Sequence, residues 1–315
     1  MTTSAAATDL TTLLQRTLGV EEITGLHRLS GGASRETWRF VADGKPLILQ
    51  RQRPSDERDM LGEAAVVRAA HAGGVPVPLL LDARRRDDGA SFMILEAVEG
   101  ETIARKIQRD DRYAGARRVL VGQLGAAAAR IHALDADQLP HLERVDRLTA
   151  YTEALDVLGQ PHPVLELVRR WLIEHRPTST ATTVVHGDFR LGNVIVDEHG
   201  LAAVIDWELA HLGDPMEDLG WLCVKAWRFG GAVPVAGLGD YDELFAAYEA
   251  AGGAPIDPAA VRWWEILGTW TWGVMCIGQA NAHLSGASRS HELAAIGRRV
   301  CENEYDLLQA LEGHW

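Results

Sequence analysis

The chain is short of several features that would each have pointed to a function. It holds three cysteines in 315 residues, and Cys223, Cys276 and Cys301 show neither metal-ligand nor redox spacing. A disulfide framework is not expected, and the thiols read as small buried hydrophobes in a reducing compartment. No uncharged apolar run approaches the roughly eighteen residues of a membrane span, and the opening MTTSAAATDL has neither a basic start nor an apolar stretch of signal length. A soluble, cytoplasmic protein is the expectation. Repeats and low-complexity tracts are missing too. Positive charge is scarce, with 31 Lys and Arg against 44 Asp and Glu and a net charge of -13, which argues against nucleic acid or an anionic membrane as partner.

What is present is the apolar fraction of an ordinary globular protein, 47%, in a chain long enough for two compact domains or for two lobes. The acid is unevenly spread: the residues up to Val98 balance at -1, so the remainder carries -12. Such an excess either attracts a cationic substrate or metal ions into a cleft, or forms a solvated surface that keeps the protein soluble. The sequence leaves both open, and oligomeric state is not legible.

Organisation changes at about Val98. Before it, ITGLHRLS, the alternating SRETWRFVA, a turn at Asp43 and Gly44, and the run LILQ read as a meander of strands. The segment DERDMLGEAAVVRAAHAGG has helical spacing and a glycine stop, and PVPLLLDA and SFMILEAV give two more strands. Beyond Gly100 long amphipathic helices are expected over 113–134, 163–176, 240–252, 258–284 and 289–312. NVIVDEHGLAAVID is the exception and reads as a hairpin. The expected division is a β-rich lobe, 1–98, and an α-rich lobe, 99–315.

Chemistry concentrates in VVHGDFRLGNVIVDEHGLAAVIDWELAHLGDP, residues 184–215, where polar groups stand at the ends of apolar runs. Asp188 and Asn193 lie five apart in a glycine-containing loop, and Asp206 ends the following hairpin. A loop and a hairpin end can converge on one point. Asn193 and Asp206 would then offer the two oxygen ligands that Mg²⁺ takes beside phosphate oxygens and water, leaving Asp188 free as a base. Asp214, just before Pro215, and Asp218 read as capping and loop-fixing groups.

HGDFRLGN followed by VIDWE resembles the paired signature of the aminoglycoside phosphotransferase and choline kinase group, relatives of the protein kinases. The resemblance covers residues of about 23 to 225 and implies an α+β, protein-kinase-like fold of two lobes, with ATP or GTP and Mg²⁺ as cofactors and a small hydroxylated molecule as acceptor. It implies that Asp188 orients the acceptor hydroxyl and takes its proton. Asn193 and Asp206 would hold the metal, Arg190 would stand near the transferring phosphate, and His186 would fix the loop.

In the first lobe, LSGGASRETWRF resembles a flap over the nucleotide, with Gly31 and Gly32 allowing close approach and Ser34 donating to phosphate. The backbone of Glu96 to Val98 matches the connection that binds the adenine edge. Glu63 matches the helix acid that pairs with a basic residue at the end of KPLILQ. Here the chain departs from the pattern: Gln50 occupies that position and Arg51 follows it, able to serve only if the strand lets it turn inward.

Three function classes follow. One is an aminoglycoside phosphotransferase-like enzyme acting on a small-molecule hydroxyl whose identity the sequence leaves open, with a hydroxyacyl or other amphipathic alcohol as the alternative if Trp221, Trp227, Trp263, Trp264, Trp270 and Trp272 line a pocket rather than a core. The second, motivated by Gln50, is a catalytically weak nucleotide-binding pseudokinase. The third is a metal-dependent phosphoesterase, disfavoured because no cluster of histidine ligands is evident.

Overall fold

The computed structural model describes residues 2–29, 35–53, 60–86, 88–178 and 181–314. Gly31, Gly32 and Ser34 therefore lie outside the described residues. A helix, α1 (Thr2–Leu18), precedes the first strand. Strands β1 (Ile23–Arg28), β2 (Arg35–Ala42) and β3 (Lys45–Gln52), helix α2 (Met60–Ala72), and strands β4 (Leu80–Arg85) and β5 (Ser91–Glu96) follow. The five strands form one antiparallel sheet in the order β1-β2-β3-β5-β4.

Alternation along the strands gives this sheet two different faces. Phe40, Leu47, Leu49, Phe92 and Ile94 pack with Leu10 and Leu14 of α1 into one small core. Met93 and Leu95, pointing the other way, join Ala64 and Val67 of α2 in a larger core that continues into the helical part. The sheet is thus sealed by α1 on one side and faces a cleft on the other.

The helical part contains α3 (Ala104–Arg109), α4 (Ala114–Arg117), α5 (Leu120–His132), α6 (Arg147–Leu158) and α7 (Pro163–Glu174). After it come strands β6 (Thr183–Val185), β7 (Val194–Asp197), β8 (Gly200–Val204) and β9 (His211–Gly213), paired as β6-β9 and β7-β8. Helices α8 (Met216–Cys223), α9 (Tyr241–Ala250), α10 (Pro258–Leu284), α11 (His291–Gly297) and α12 (Val300–Leu311) complete the chain. Cap chemistry sets several starts: Asp240 accepts from the Glu243 amide at 2.9 Å and Asp257 from the Ala259 amide at 2.9 Å. No helix among the described residues is long and apolar enough to cross a membrane.

Two of the expected helices are divided. The stretch 113–134 is broken between α4 and α5 at Arg118 and Val119, where the helical hydrogen-bonding lapses for two residues. The stretch 289–312 is broken at Gly297, where α11 packs so closely on α10 that a Cβ would collide with Ala280. The tryptophans are mainly core: Trp221, Trp227, Trp263, Trp270 and Trp272 are buried in a cluster built by α6, α7, α10 and α12.

Candidate active site

The loop that carries Asp188 runs from the end of β6 to the start of β7, and almost every polar group in it has a partner. Gly187 sits at φ 79°, and a Cβ there would strike the Leu209 carbonyl, so the turn requires glycine. The amides of His186 and Gly187 donate to the two carboxylate oxygens of Asp218, at 2.7 and 2.9 Å. Asp218 is fully buried. Burial alone would raise its pKa, yet the hydrogen bond and charge of His132, with the neighbouring His186 and its amide, hold it down at about 2. The imidazole of His132 bridges Asp218, at 3.1 Å, to the Tyr248 hydroxyl, at 2.9 Å. Arg147 reaches the Gly187 carbonyl while pairing with Glu217. The loop is therefore fixed from beneath by groups on α5, α6 and α8.

His186 closes the frame. Its Nδ1 accepts from the Asp188 amide at 3.2 Å, which assigns the proton to Nε2, 3.1 Å from the Ile205 carbonyl. The Ile205 amide in turn donates to the Asn193 carbonyl at 3.0 Å. Both ends of the loop are tied to the residue before Asp206.

Within that frame Asn193 and Asp188 meet directly. Asn193 Nδ2 donates to Asp188 Oδ2 at 2.5 Å and to the Asp188 carbonyl at 3.0 Å. The other carboxylate oxygen, Oδ1, accepts from Trp221 Nε1 at 2.7 Å and from Arg190 Nε at 3.0 Å. The Arg190 guanidinium lies over the Trp227 ring, 4.9 Å from its centroid. Trp221 as a partner of Asp188 was not legible in the sequence, since the two residues stand 33 apart.

Asp206 has φ 68°, a left-handed conformation that a non-glycine residue adopts at some cost in strain and that clusters at functional sites. Its carboxylate is held by Nη2 of Arg35, which also reaches Glu208 at 3.2 Å. Nη1 of Arg35 contacts both oxygens of Glu63 at 2.6 Å and Gln50 Oε1 at 3.1 Å. Burial would depress the Arg35 pKa, but the charges of Glu63, Asp206 and Glu208 outweigh it and raise the value. Burial pushes the Glu63 carboxyl up despite Arg35, and Asp206 and Glu208 add to that.

The basic partner of Glu63 is thus Arg35 of β2, and the expectation placed on Arg51 is corrected. Strands β2 and β3 pair without a bulge along their length, setting Arg51 opposite Glu36, and Arg51 Nε donates to Glu36 at 2.6 Å. Arg51 shares the parity of Leu47 and Leu49, which face α1, so the regular pleat turns it away from the cleft. Arg35 shares the cleft face with Thr37 and Arg39.

Between the sheet and the β7-β8 hairpin lies a cavity of about 240 Å³ lined by Ile48, Met93, Leu95, Val98, Ile205 and Asp206, with Glu63 and Glu96 at its edge. The amides of Glu96 and Ala97 are taken by the carbonyls of Leu79 and Pro46, at 2.9 and 3.1 Å. Among the described residues no acceptor takes the Val98 amide. No group of three or more His, Cys, Asp or Glu among the described residues could hold a metal ion. Asn193, with its nitrogen committed to Asp188, retains Oδ1, and Asp206 retains its second oxygen. An amide and a carboxylate oxygen fit a hard divalent ion that completes its shell with phosphate and water better than a soft transition metal.

Comparison with known proteins gives the relatives of the chain and of its fold. The mouse protein Acyl-CoA dehydrogenase family member 10 is 29% identical over 218 residues, covering 61% of this chain and 20% of its own length. The chain thus spans about a fifth of that relative. A crystal structure from Ralstonia eutropha, provisionally described as an aminoglycoside phosphotransferase, superposes with a TM-score of 0.77 at 21% identity, covering 97% of this chain and 98% of its own. The GDP complex of an aminoglycoside 2'-phosphotransferase-IIIa variant superposes with a TM-score of 0.68 at 14% identity, covering 97% of each. The α+β, kinase-like fold expected from the signature is the fold of these neighbours. Residues 25–264 match the sequence profile of the Phosphotransferase enzyme family, well over half of the molecule, and the chain belongs to that family.

Proposed function

We propose that the protein transfers the γ-phosphate of ATP or GTP, with Mg²⁺, to a hydroxyl group of a small molecule. The observation that supports this best is the frame around Ile205: His186 and Asn193 bind its carbonyl and amide from the two ends of the catalytic loop, so Asp188 and Asn193 are held in fixed relation to Asp206 on the cavity wall. A bound magnesium ion would supply Lewis acidity and charge neutralisation at the phosphates. Asn193 Oδ1 and Asp206 are the groups that would hold it.

In this reading the cavity receives the base, with the free Val98 amide and the Glu96 backbone meeting its polar edge. Asp188, oriented by Trp221 and Asn193, receives the acceptor hydroxyl. The acceptor oxygen forms a bond to the γ-phosphorus as the bond from that atom to the β–γ bridging oxygen breaks. The hydroxyl proton passes to Asp188, and the nucleoside diphosphate departs. Arg190, beside Asp188, faces the charge that builds on the moving phosphoryl group. Catalysis comes mainly from alignment and electrostatics.

One feature favours an amphipathic acceptor such as a hydroxyacyl thioester over an aminoglycoside, the likeness to a protein described as an acyl-CoA dehydrogenase family member; Trp221, Trp227 and Trp272 near Asp188 are packed against one another in the core. A phosphate-transfer screen with ATP and GTP against hydroxyacyl thioesters, macrolides and aminoglycosides tests this. Transfer to none of them, with nucleotide still bound, would favour the pseudokinase reading that Gln50 motivates.

A further inference from the structure

Gln50 leaves the end of β3 without a cation on the face where the phosphates of a nucleotide would lie. The cleft nevertheless has a buried positive charge, since Arg35 reaches it from β2. Its side chain is 7% exposed, and it is gripped from two elements beyond its own sheet: Glu63 on α2, and Asp206 and Glu208 just past β8. Gln50 Oε1 shares Nη1 with Glu63, so the tip of residue 50 points at the place the guanidinium fills. One guanidinium against three carboxylates leaves a formal charge of -2 around a buried Arg35 and Glu63, with Asp206 and Glu208 partly exposed. A divalent cation on Asp206 would balance it.

We infer that Arg35 is the positioning cation of the phosphate site, delivered from β2 in place of a basic residue on β3, and that it ties α2 to the cleft and presents Asp206 to the metal–nucleotide complex. This rests on the phosphotransferase reading. The arrangement explains how the site keeps its cation although Gln50 is neutral and Arg51 faces Glu36. It also assigns a role to Gln50, which accepts from Arg35 and steadies it where a second positive charge would repel.

The test is equilibrium binding of a fluorescent ADP analogue across a magnesium titration, which needs no acceptor. The proteins compared are wild type, Arg35→Gln, Arg51→Gln, Gln50→Lys and the double variant Arg35→Gln with Gln50→Lys, each checked by thermal unfolding. Arg35→Gln should weaken magnesium-dependent binding by about tenfold or more and raise the magnesium concentration at half-saturation, as loss of a buried charge contact predicts. Arg51→Gln should stay within about twofold, its pair being peripheral to the cleft. The double variant should recover most of the affinity, because a lysine at position 50 reaches toward Glu63 from the same face. If Arg35→Gln alone is too unstable to titrate, the double variant decides: recovery supports the role, and a folded double variant that binds no nucleotide overturns it. Wild-type affinity and magnesium response in Arg35→Gln would overturn the role of Arg35 alone. Absence of nucleotide binding by the wild-type protein would remove the phosphotransferase reading and this inference together.

Discussion

The indole Nε1 of Trp221 lies 2.7 Å from Oδ1 of Asp188, so the proposed base is aimed by a neutral aromatic donor on α8. A tryptophan suits this position because it adds no charge that would compete for the carboxylate. It is also wedged against Trp227, with ring centroids 5.4 Å apart, and under the Arg147 guanidinium at 5.3 Å.

Trp221→Phe keeps most of that packing and removes only the hydrogen bond. A bond to a charged acceptor is worth about 1.5–3 kcal/mol, so kcat should fall by about 10- to 100-fold. Nucleotide affinity should stay unchanged, because in the proposed mechanism Trp221 orients Asp188 and none of the groups assigned to the nucleotide. Steady-state kinetics beside a nucleotide titration measures both, and an unaltered kcat would show that the indole contact does not orient the acid.

Asp188→Asn is nearly isosteric and retains an oxygen for Trp221 and Arg190, while it ends proton acceptance. Turnover should drop by about 10²–10⁴, with the thermal shift on adding nucleotide preserved. Full activity in this variant would remove Asp188 from the mechanism.

Asp218 illustrates a residue placed for architecture. Its folded-state pKa of about 2 lies below the ordinary 3.8, so the stability it contributes, about 2 kcal/mol by linkage, is complete above roughly pH 4 and is lost as the pH falls through its folded value. Asp218→Asn should therefore destabilise the protein most at neutral pH and progressively less below about pH 4. Urea unfolding of both proteins at pH 7 and pH 3 tests this, and a difference independent of pH would assign the effect to packing instead. Asparagine keeps a single side-chain oxygen, so one of the His186 and Gly187 amides would lose its acceptor, and turnover should fall although Asp218 touches no substrate in the proposed mechanism.

The strands of the first part and the position of the loop were legible because each depends on local pattern: alternation in RETWRFVA, the turn at Asp43, and the glycines around Asp188. Helix α10 could be read to its ends, since Asp257 caps it and Pro258 occupies its first turn. What sequence could not show was contact at long range. Arg35 and Asp206 are 171 residues apart, and only the sheet order and the return of the β7-β8 hairpin bring them together. Strand parity was the available signal, for it already set Arg51 on the opposite face from Gln50. The same parity reasoning applied to β2 would have placed Arg35 with Thr37 and Arg39 on the cleft. The helix breaks at Val119 and Gly297 likewise depend on neighbours in space rather than on hydrophobic period.

Asp206 separates what the site needs from what the fold needs. Its carboxylate attracts Arg35 but repels Glu63 and Glu208, and its backbone holds a left-handed conformation that asparagine tolerates as well as aspartate does. Asp206→Asn removes one favourable contact and two unfavourable ones around a group that is 37% exposed, so stability should change by no more than about 1 kcal/mol. The metal, in contrast, would lose its only carboxylate ligand of the proposed pair. The expected result is a melting temperature close to wild type and a magnesium-dependent nucleotide shift that disappears. Thermal unfolding with nucleotide, with and without magnesium chloride, reads both quantities in one experiment. A shift that persists would place the metal elsewhere, and a melting temperature many degrees lower would make Asp206 a structural residue first.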